Sequence, residues 1–258
     1  MPDIAAAPEA GPAPAGMAQQ EWQVRVDTAA CYRLLHHFGL TDMIFTHVTG
    51  RVPGADHHIL INPYGLFFAE VTPANLVRCD LDGVVQDGAD ATVNPIGFGF
   101  HAAVHRARPD AGCVIHTHSR AGIAVSALER GLLPLTQTAL RFKDRVAYHT
   151  YEGVIPDPAE LGRMVAALGD KPALILHNHG LLTVGRTVAE AFHLIYYLEE
   201  ACRLQLDILT TGEALVTPAP EVQAQAAAYF QQHTHIPGHR EWPALLRMLD
   251  RTQAGWRG

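Results

Sequence analysis

The chain has 258 residues, 48% of them hydrophobic, and its formal net charge is -7 at pH 7. This apolar content is sufficient for one large core, so we expect a single domain over residues 21–258 that includes a C-terminal extension. A nucleic-acid partner is not expected, since it would need a basic face and the sequence has no cluster of lysine or arginine. Composition favours a small molecule or another protein as the partner.

The first twenty residues, "MPDIAAAPEAGPAPAGMAQQ", are rich in Ala, Pro and Gly and lack the basic start of a signal peptide. They predict a disordered tail over residues 1–20. No apolar run reaches about 18 residues, so no membrane span is predicted. The four cysteines are widely scattered, which indicates neither a disulfide framework nor a cysteine zinc site. We therefore expect a cytoplasmic protein.

Helices and strands are predicted along the whole remaining chain. A first helix over 21–40 ends at a glycine, and two strands follow within 43–52 and 57–65. A helical turn capped by Thr72 precedes a strand that ends near residue 83. Later helices are predicted over 97–110, closed by Arg108 before a proline, over 157–168, capped by Asp157, and over 187–209, capped by Thr187.

Two short apolar runs, "GCVIHTH" and "ALILHNHG", each deliver a His-x-His pair at the end of a predicted buried strand. Side chains two apart on a strand point to the same face, so His116 and His118 can reach one metal ion together. Either His177 or His179 can complete the set from the second run. Neutral imidazole is a common ligand of zinc, manganese, cobalt and iron, and three imidazoles leave positions for water or substrate. The alternative is a group of hydrogen-bonded core histidines.

A third cluster, "HTHIPGH", contains His233, His235 and His239. Its neighbours are Gln, Pro and Gly, and no predicted strand orients its side chains. We expect a solvated linker there.

The stretches "HAAVHRARPDAGCVIHTHSRAGIAVSAL", "VAYHTYEG" and "LILHNHGLLTVG" resemble the class II aldolase/adducin family. The resemblance extends from about Val24 to "LLRMLDR" near the C-terminus. It implies an α/β/α sandwich around a largely antiparallel sheet, and a homotetramer with its sites between subunits. It also implies that the metal ligands are His116, His118 and His179, with His177 as a neighbouring group.

The chain departs from the family's sugar-phosphate aldolases at the positions that handle phosphate and protons. Those enzymes carry two serines and a glutamate where this chain has Pro95, Ile96 and Gly97. The Gly-Asn pair of their phosphate loop is matched by Thr46 and His47. The family's usual proton carrier is therefore absent. The stretches "THVTGRV", "INPYGLFFAEVT" and "GFGFHAAVH" instead resemble the adducin-like branch of the family.

A phosphate dianion needs several aligned donors to offset its desolvation, and "NPI" supplies few. We therefore expect a site for an uncharged or aromatic substrate, although each aromatic side chain could instead belong to the core. The expected substrate-binding residues are Tyr64, Ile96, Gly97 and Phe98, with Phe67 or Phe68 as a further wall.

Tyr151 matches the tyrosine that, in family aldolases, protonates the substrate from a neighbouring subunit. His47 is the second candidate for proton transfer or substrate binding, and Glu70 is expected to cap a turn. A buried tyrosine with a hydrogen-bonded hydroxyl is the alternative for Tyr151.

Three functions are compatible with these residues. The first is a divalent-metal-dependent lyase that cleaves a carbon–carbon bond of an unphosphorylated oxo- or hydroxy-acid by retro-aldol cleavage or decarboxylation. The second is a non-haem iron oxygenase, because the novobiocin and clorobiocin pathway oxygenases use class II aldolase-like folds. The third is a non-catalytic interaction module like adducin, which would have no evident need for three histidines.

Overall fold

The computed structural model describes residues 10–55, 57–87, 91–231 and 237–257. Within these ranges the chain forms eight α-helices: α1 (Gln19–His37), α2 (Pro95–Ala107), α3 (Arg120–Ser126), α4 (Gln137–Leu140), α5 (Pro158–Leu168), α6 (Val188–Thr210), α7 (Pro220–Gln231) and α8 (Trp242–Thr252). It also forms seven strands: β1 (His47–Arg51), β2 (His58–Ile61), β3 (Val77–Asp80), β4 (Cys113–Thr117), β5 (Val146–His149), β6 (Ala173–Leu176) and β7 (Gly180–Gly185). None of the helices in the described ranges has the length and apolarity needed to cross a bilayer.

Local capping explains several element boundaries. Asp157 accepts a hydrogen bond from the Glu160 amide at 2.7 Å, and α5 starts directly after it. Thr187 does the same for the Glu190 amide at 3.1 Å at the start of α6. The predicted starts of both helices are confirmed. The first helix differs slightly, since α1 begins at Gln19 and ends at His37.

The segment before α1 packs against the core from residue 10 onward. The indole Nε1 of Trp22 donates to the carbonyl oxygen of Ala10 at 3.1 Å, and the Gln19 side-chain amide donates to the Gly11 carbonyl at 2.9 Å. Met17 also packs against the main hydrophobic cluster. The structure therefore differs from the predicted tail at these residues, because contacts with α1 hold a segment whose composition alone predicts disorder. Residues 1–9 lie outside the described part of the chain.

The seven strands form one sheet in the order β3-β2-β1-β4-β7-β6-β5. Every neighbouring pair is antiparallel except β5 and β6, which are parallel. The expected α/β fold with a largely antiparallel sheet is confirmed. The three predicted metal ligands lie at the central pair, β4 and β7: His116 is in β4, His118 follows the end of β4, and His179 precedes β7.

Side chains alternate between the two faces of β4, and each face packs against a different layer of helices. Cys113 and Ile115 join the large core that contains α1, α3, α6 and α8. Val114 faces the other way and packs with apolar residues of α2 and α5. His116 is two residues further on and therefore lies on the α2 side, where its ring stacks near Phe100 at 6.4 Å between ring centroids.

Candidate metal centre

The three predicted ligands meet at one point. The Nε2 atom of His118 lies 3.0 Å from Nε2 of His116 and 3.0 Å from Nε2 of His179. The ligand atoms of the three side chains all lie within 4.8 Å of one another. Three imidazole nitrogens at this separation could hold one metal ion between them.

The turn between β6 and β7 decides which histidine of "HNHG" joins this group. β6 ends at Leu176, and Asn178 adopts a positive φ of 56°, a conformation that asparagine tolerates better than most residues. The turn therefore separates its two histidines. His179 enters the cluster, while His177 donates from Nδ1 to the Ser126 carbonyl at 2.9 Å.

Hydrogen bonds on the far side of two rings aim their Nε2 atoms at the cluster. Nδ1 of His116 donates to the carbonyl oxygen of Leu181 at 2.9 Å. Nδ1 of His118 lies 2.9 Å from Oδ2 of Asp42. An N–H engaged in this way leaves the lone pair of the other ring nitrogen for a metal, and such partners typically orient metal-binding histidines.

Burial favours the neutral form of His116 and His179. It lowers the pKa of His116 well below its usual range, with further lowering by His179 and His118. It lowers the pKa of His179 to about 4, again with a contribution from His118. Neutral imidazole is the form that binds a metal, so the donor set fits a divalent transition-metal ion.

The cluster lies at the wall of a cavity of about 480 Å³. Several predicted residues line this cavity, namely His47, Tyr64, Ile96, Gly97 and Tyr151. Among the described residues that line it, none is a lysine or an arginine, and Asp42 is an acidic one.

Residues 26–206 of the chain match the family described as "Class II Aldolase and Adducin N-terminal domain". The chain belongs to the class II aldolase/adducin family. The match spans the metal cluster, the cavity and all seven strands of the sheet.

Relatives of two kinds are found in this family. A Caulobacter vibrioides protein named "Putative aldolase class 2 protein" is 47% identical over 241 residues, covering 93% of this chain and 94% of that protein. Alpha-adducin of Mus musculus is 40% identical over 243 residues, covering 88% of this chain but only 33% of that protein.

Two solved structures share the fold over nearly the whole chain. An aldolase II superfamily protein from Pseudomonas syringae has a TM-score of 0.91 and 46% identity, covering 94% of this chain and 98% of that one. An L-fuculose 1-phosphate aldolase from Glaciozyma antarctica PI12 has a TM-score of 0.81 and 30% identity, covering 96% and 98%. The class II aldolase fold is thus established for this chain.

The prediction for Phe98 is wrong. Its ring is buried in a cluster with Ile59, Ile61 and Val77 and does not line the cavity. Residues 96, 97 and 100 of α2 face the cavity, and position 98 is rotated away from them by the helical repeat of about 3.6 residues. Phe100 is the aromatic residue of α2 that lines the cavity instead.

Phe67 and Phe68, one of which was expected to form a further wall of the site, do not line the cavity. Phe68 is buried against Tyr32, with ring centroids 4.7 Å apart, and Phe67 is half-exposed and does not line the cavity. Glu70 does cap a turn, because its carboxylate accepts a hydrogen bond from the Phe67 amide at 2.8 Å.

Tyr151 lies at the mouth of the cavity, with its ring centroid 6.3 Å from that of His179. The family resemblance implied that a neighbouring subunit supplies this tyrosine. In this structure Tyr151 lines the cavity of its own chain. Of the third histidine cluster, His239 is exposed, and His233 and His235 lie outside the described residues.

The loop before β1 contributes residues that sequence patterns did not identify. Asp42, Phe45 and Thr46 line the cavity. Met43 and Thr46 have positive φ values of 50° and 69°, which is unusual for a β-branched residue such as threonine. A loop lacks the periodicity from which buried faces are predicted, so no sequence signal singled out Asp42 or Phe45, whereas Thr46 was noted only as the match to a glycine of the family's phosphate loop. The conformation of Thr46 is a strained feature next to the metal cluster.

A second group of buried histidines lies beside the cavity, between β1 and α2. The Thr49 hydroxyl lies 2.8 Å from Nδ1 of His101 and 2.8 Å from Nε2 of His105. Burial lowers the pKa of His105 to about 3 and that of His47 to about 4, with a further contribution from His118 to the latter. This group adjoins the cavity through His47, whose ring centroid lies 6.0 Å from that of His101.

Proposed function

We propose that this protein is a divalent-metal-dependent lyase that cleaves a carbon–carbon bond of an unphosphorylated oxo- or hydroxy-acid, by retro-aldol cleavage or decarboxylation. The observation that carries the proposal is the convergence of three Nε2 atoms, from His116, His118 and His179, at the wall of the cavity. Zinc is the first choice of metal, with iron, manganese and cobalt as the others that imidazole accepts. A bound divalent ion would supply Lewis-acid stabilisation of the developing oxyanion.

Two groups of this chain are assigned to the substrate's proton and oxygen atoms. The Tyr151 hydroxyl at the cavity mouth donates a proton to the carbon that carries the developing charge. The imidazole of His47, on the inner wall, hydrogen-bonds an oxygen of the substrate. Decarboxylation suits a site without the family glutamate, because loss of carbon dioxide removes the need for a base to abstract a proton.

The charge of the cavity supports an unphosphorylated substrate. A phosphate dianion must regain its hydration energy from cations or several donors, and the described lining offers the carboxylate of Asp42 but no lysine or arginine. The apolar part of the wall would accommodate a hydrophobic or aromatic substrate body; it consists of Phe45, Ile96, Phe100, Ile123 and Val154.

Sugar-phosphate cleavage is the second candidate, favoured by the 30% identity to a structure named as an L-fuculose 1-phosphate aldolase. The two candidates differ in the substrate group that must be held, so fuculose 1-phosphate belongs in every substrate panel. Rapid turnover of that phosphate would replace the proposal with the aldolase.

Oligomerisation is part of the proposal, as a homotetramer with sites near subunit boundaries. Apolar side chains at or next to the cavity mouth support it, since Met43, Val154 and Ile155 are 67%, 71% and 77% exposed. Burial of such a patch by a second copy is favourable. Light scattering on the purified protein measures the assembly, and a monomer would remove this part of the proposal.

Metal binding is tested by elemental analysis of the native protein and a His179→Ala variant. We expect about one divalent ion per subunit in the native protein and a strongly reduced content in the variant. His177→Ala is the matched control, because His177 lies in the same turn but bonds to Ser126 outside the cluster. Equal metal content in the native protein and His179→Ala would contradict the ligand set.

The reaction is tested with zinc-, manganese- and iron-loaded protein, with and without oxygen. Aliphatic and aromatic oxo- and hydroxy-acids are supplied, and products and dissolved oxygen are followed together. The lyase proposal expects oxygen-independent cleavage. Turnover confined to the iron form with matched oxygen uptake would indicate an oxygenase, and metal binding without any turnover would favour an adducin-like role.

A further inference from the structure

A buried carboxylate lies in the middle of α6. The side chain of Glu199 is 1% exposed and accepts a hydrogen bond from the Ser119 hydroxyl at 2.6 Å. The backbone amides of Gly122 and Ala121 donate to it at 2.8 Å and 3.3 Å. Arg203, one turn further along α6, donates from Nε at 3.2 Å. A buried charge needs several donors to offset its desolvation, and three of these four lie at the start of α3.

The Glu199 carboxylate caps α3 in place of a neighbouring side chain. The first amides of a helix have no partner within the helix, and the side chain just before it usually accepts their hydrogen bonds. Ser119 occupies that position, but its side chain makes no capping bond and its hydroxyl donates to Glu199 instead. Glu199, 80 positions further along the chain, accepts from the second and third amides of the helix. A negative charge is also favourable at a helix N-terminus, so α6 holds the start of α3.

α3 contacts both chain segments that supply the metal ligands. His118 lies two positions before the first residue of the helix. At the other end of α3, the carbonyl oxygen of Ser126 accepts a hydrogen bond from the backbone amide of Asn178 at 3.3 Å, directly before His179. Between these ends, Ile123 lines the cavity. A shift of α3 would therefore move the backbone on both sides of the metal cluster.

Glu199 is not one of the described residues that line the cavity, so any effect on the site passes through α3. We propose that Glu199 is a positioning residue of the metal centre, whose carboxylate fixes the start of α3 and with it the backbone that carries His118. This inference rests on the proposed function, since it concerns the same metal ligands. Asp42, which is 43% exposed, contacts the ring of His118, whereas Glu199 holds the adjoining backbone from inside the core.

The positioning role is tested by zinc affinity, measured by chelator competition at a temperature where the variants compared are folded. We expect Glu199→Ala to weaken zinc binding by about tenfold, the lower end of what loss of an orienting group costs, because Glu199 acts on the ligand through α3. Glu199→Gln should stay within about threefold of the native protein, since its amide oxygen can still accept from Ser119 and Gly122.

Glu190→Ala is the matched control. Glu190 is 7% exposed in the same helix, and its carboxylate accepts a hydrogen bond from the Arg186 amide at 2.8 Å, outside both ligand segments. Both alanine variants should lower the thermal unfolding midpoint, because each removes the hydrogen bonds of a buried carboxylate. Only Glu199→Ala should change zinc affinity, which separates positioning from a contribution to stability alone. Native zinc affinity in folded Glu199→Ala would overturn the inference.

Ser119→Ala is a milder variant that decides the question if Glu199→Ala does not fold. It removes the hydroxyl bond to the carboxylate at the residue next to His118 and keeps both amide bonds. Zinc affinity should fall by about threefold. In the absence of a folded Glu199→Ala variant, native affinity in Ser119→Ala would overturn the inference.

Hydrogen exchange of the metal-free protein separates this inference from the proposed function. Glu199→Ala should speed amide exchange in residues 176–182 by about tenfold through α3, and Glu190→Ala should leave it at the native rate. Native exchange rates there in Glu199→Ala would overturn the link between α3 and the second ligand segment. Failure of the native protein to bind zinc would contradict the proposed function, and the exchange rates would still decide whether Glu199 holds that segment.

Discussion

The carboxylate of Asp42 provides a sensitive test of the metal centre, because it contacts one ligand from the side away from the cluster. Its Oδ2 lies 2.9 Å from Nδ1 of His118. An asparagine side chain at this position could still accept the hydrogen bond, so Asp42→Asn removes only the charge. Bonds to charged groups contribute about 1 kcal/mol more than neutral ones, and 43% exposure of the Asp42 side chain places the effect at or below that value. We expect zinc affinity to fall by about fivefold.

Asp42→Ala removes the partner altogether and should have a larger effect. Loss of a group that orients a metal ligand typically costs about 10–100-fold in affinity. Zinc affinity is measured near neutral pH by competition with a chromophoric chelator. Asp144→Asn serves as the control, since Asp144 is exposed, pairs with Lys143 and has a φ of 62° that asparagine tolerates. Native zinc affinity in Asp42→Ala would refute the assignment of Asp42 as an orienting group.

Three further predictions concern the buried histidines, the packing of the turn and the proton donor. Burial lowers the pKa of His105 from 6.5 to about 3, so below pH 6.5 the unfolded chain binds a proton that the folded chain does not, and stability falls as the pH falls. His105 alone should contribute about 2 kcal/mol to the loss of stability between pH 7 and pH 5. Urea unfolding at both values should show a smaller loss for His105→Gln, and equal losses would contradict this account. Gly180→Ala would place a Cβ 2.3 Å from the Thr117 carbonyl oxygen and should destabilise the protein by about 1–3 kcal/mol, whereas Gly162→Ala, with no atom within 4 Å, should not. Tyr151→Phe should lower the lyase rate by about 100-fold at unchanged metal content, and an undiminished rate would exclude this hydroxyl as the proton donor.

Much of the metal site could be predicted from local sequence. Apolar runs that end in histidine predict buried strands, and the two-residue period of a strand predicts that His116 and His118 share a face. Capping residues such as Asp157 and Thr187 predict helix starts because they act within three residues of themselves. Family motifs then implied the fold and the third ligand.

Other features depended on tertiary structure, because they arise between segments far apart in the chain. The period-two argument does not apply to "HNHG", where a turn with a left-handed asparagine separates His177 from His179. Phe98 is apolar and near the motif, yet only the docking of α2 on the sheet decides that it faces β2 and β3. Asp42 reaches His118 across 76 positions of sequence. Likewise a side chain at position 97 would clash with the His47 ring only because α2 packs over β1. The sequence therefore determined which histidines can bind a metal, whereas the tertiary structure determined which residues surround them.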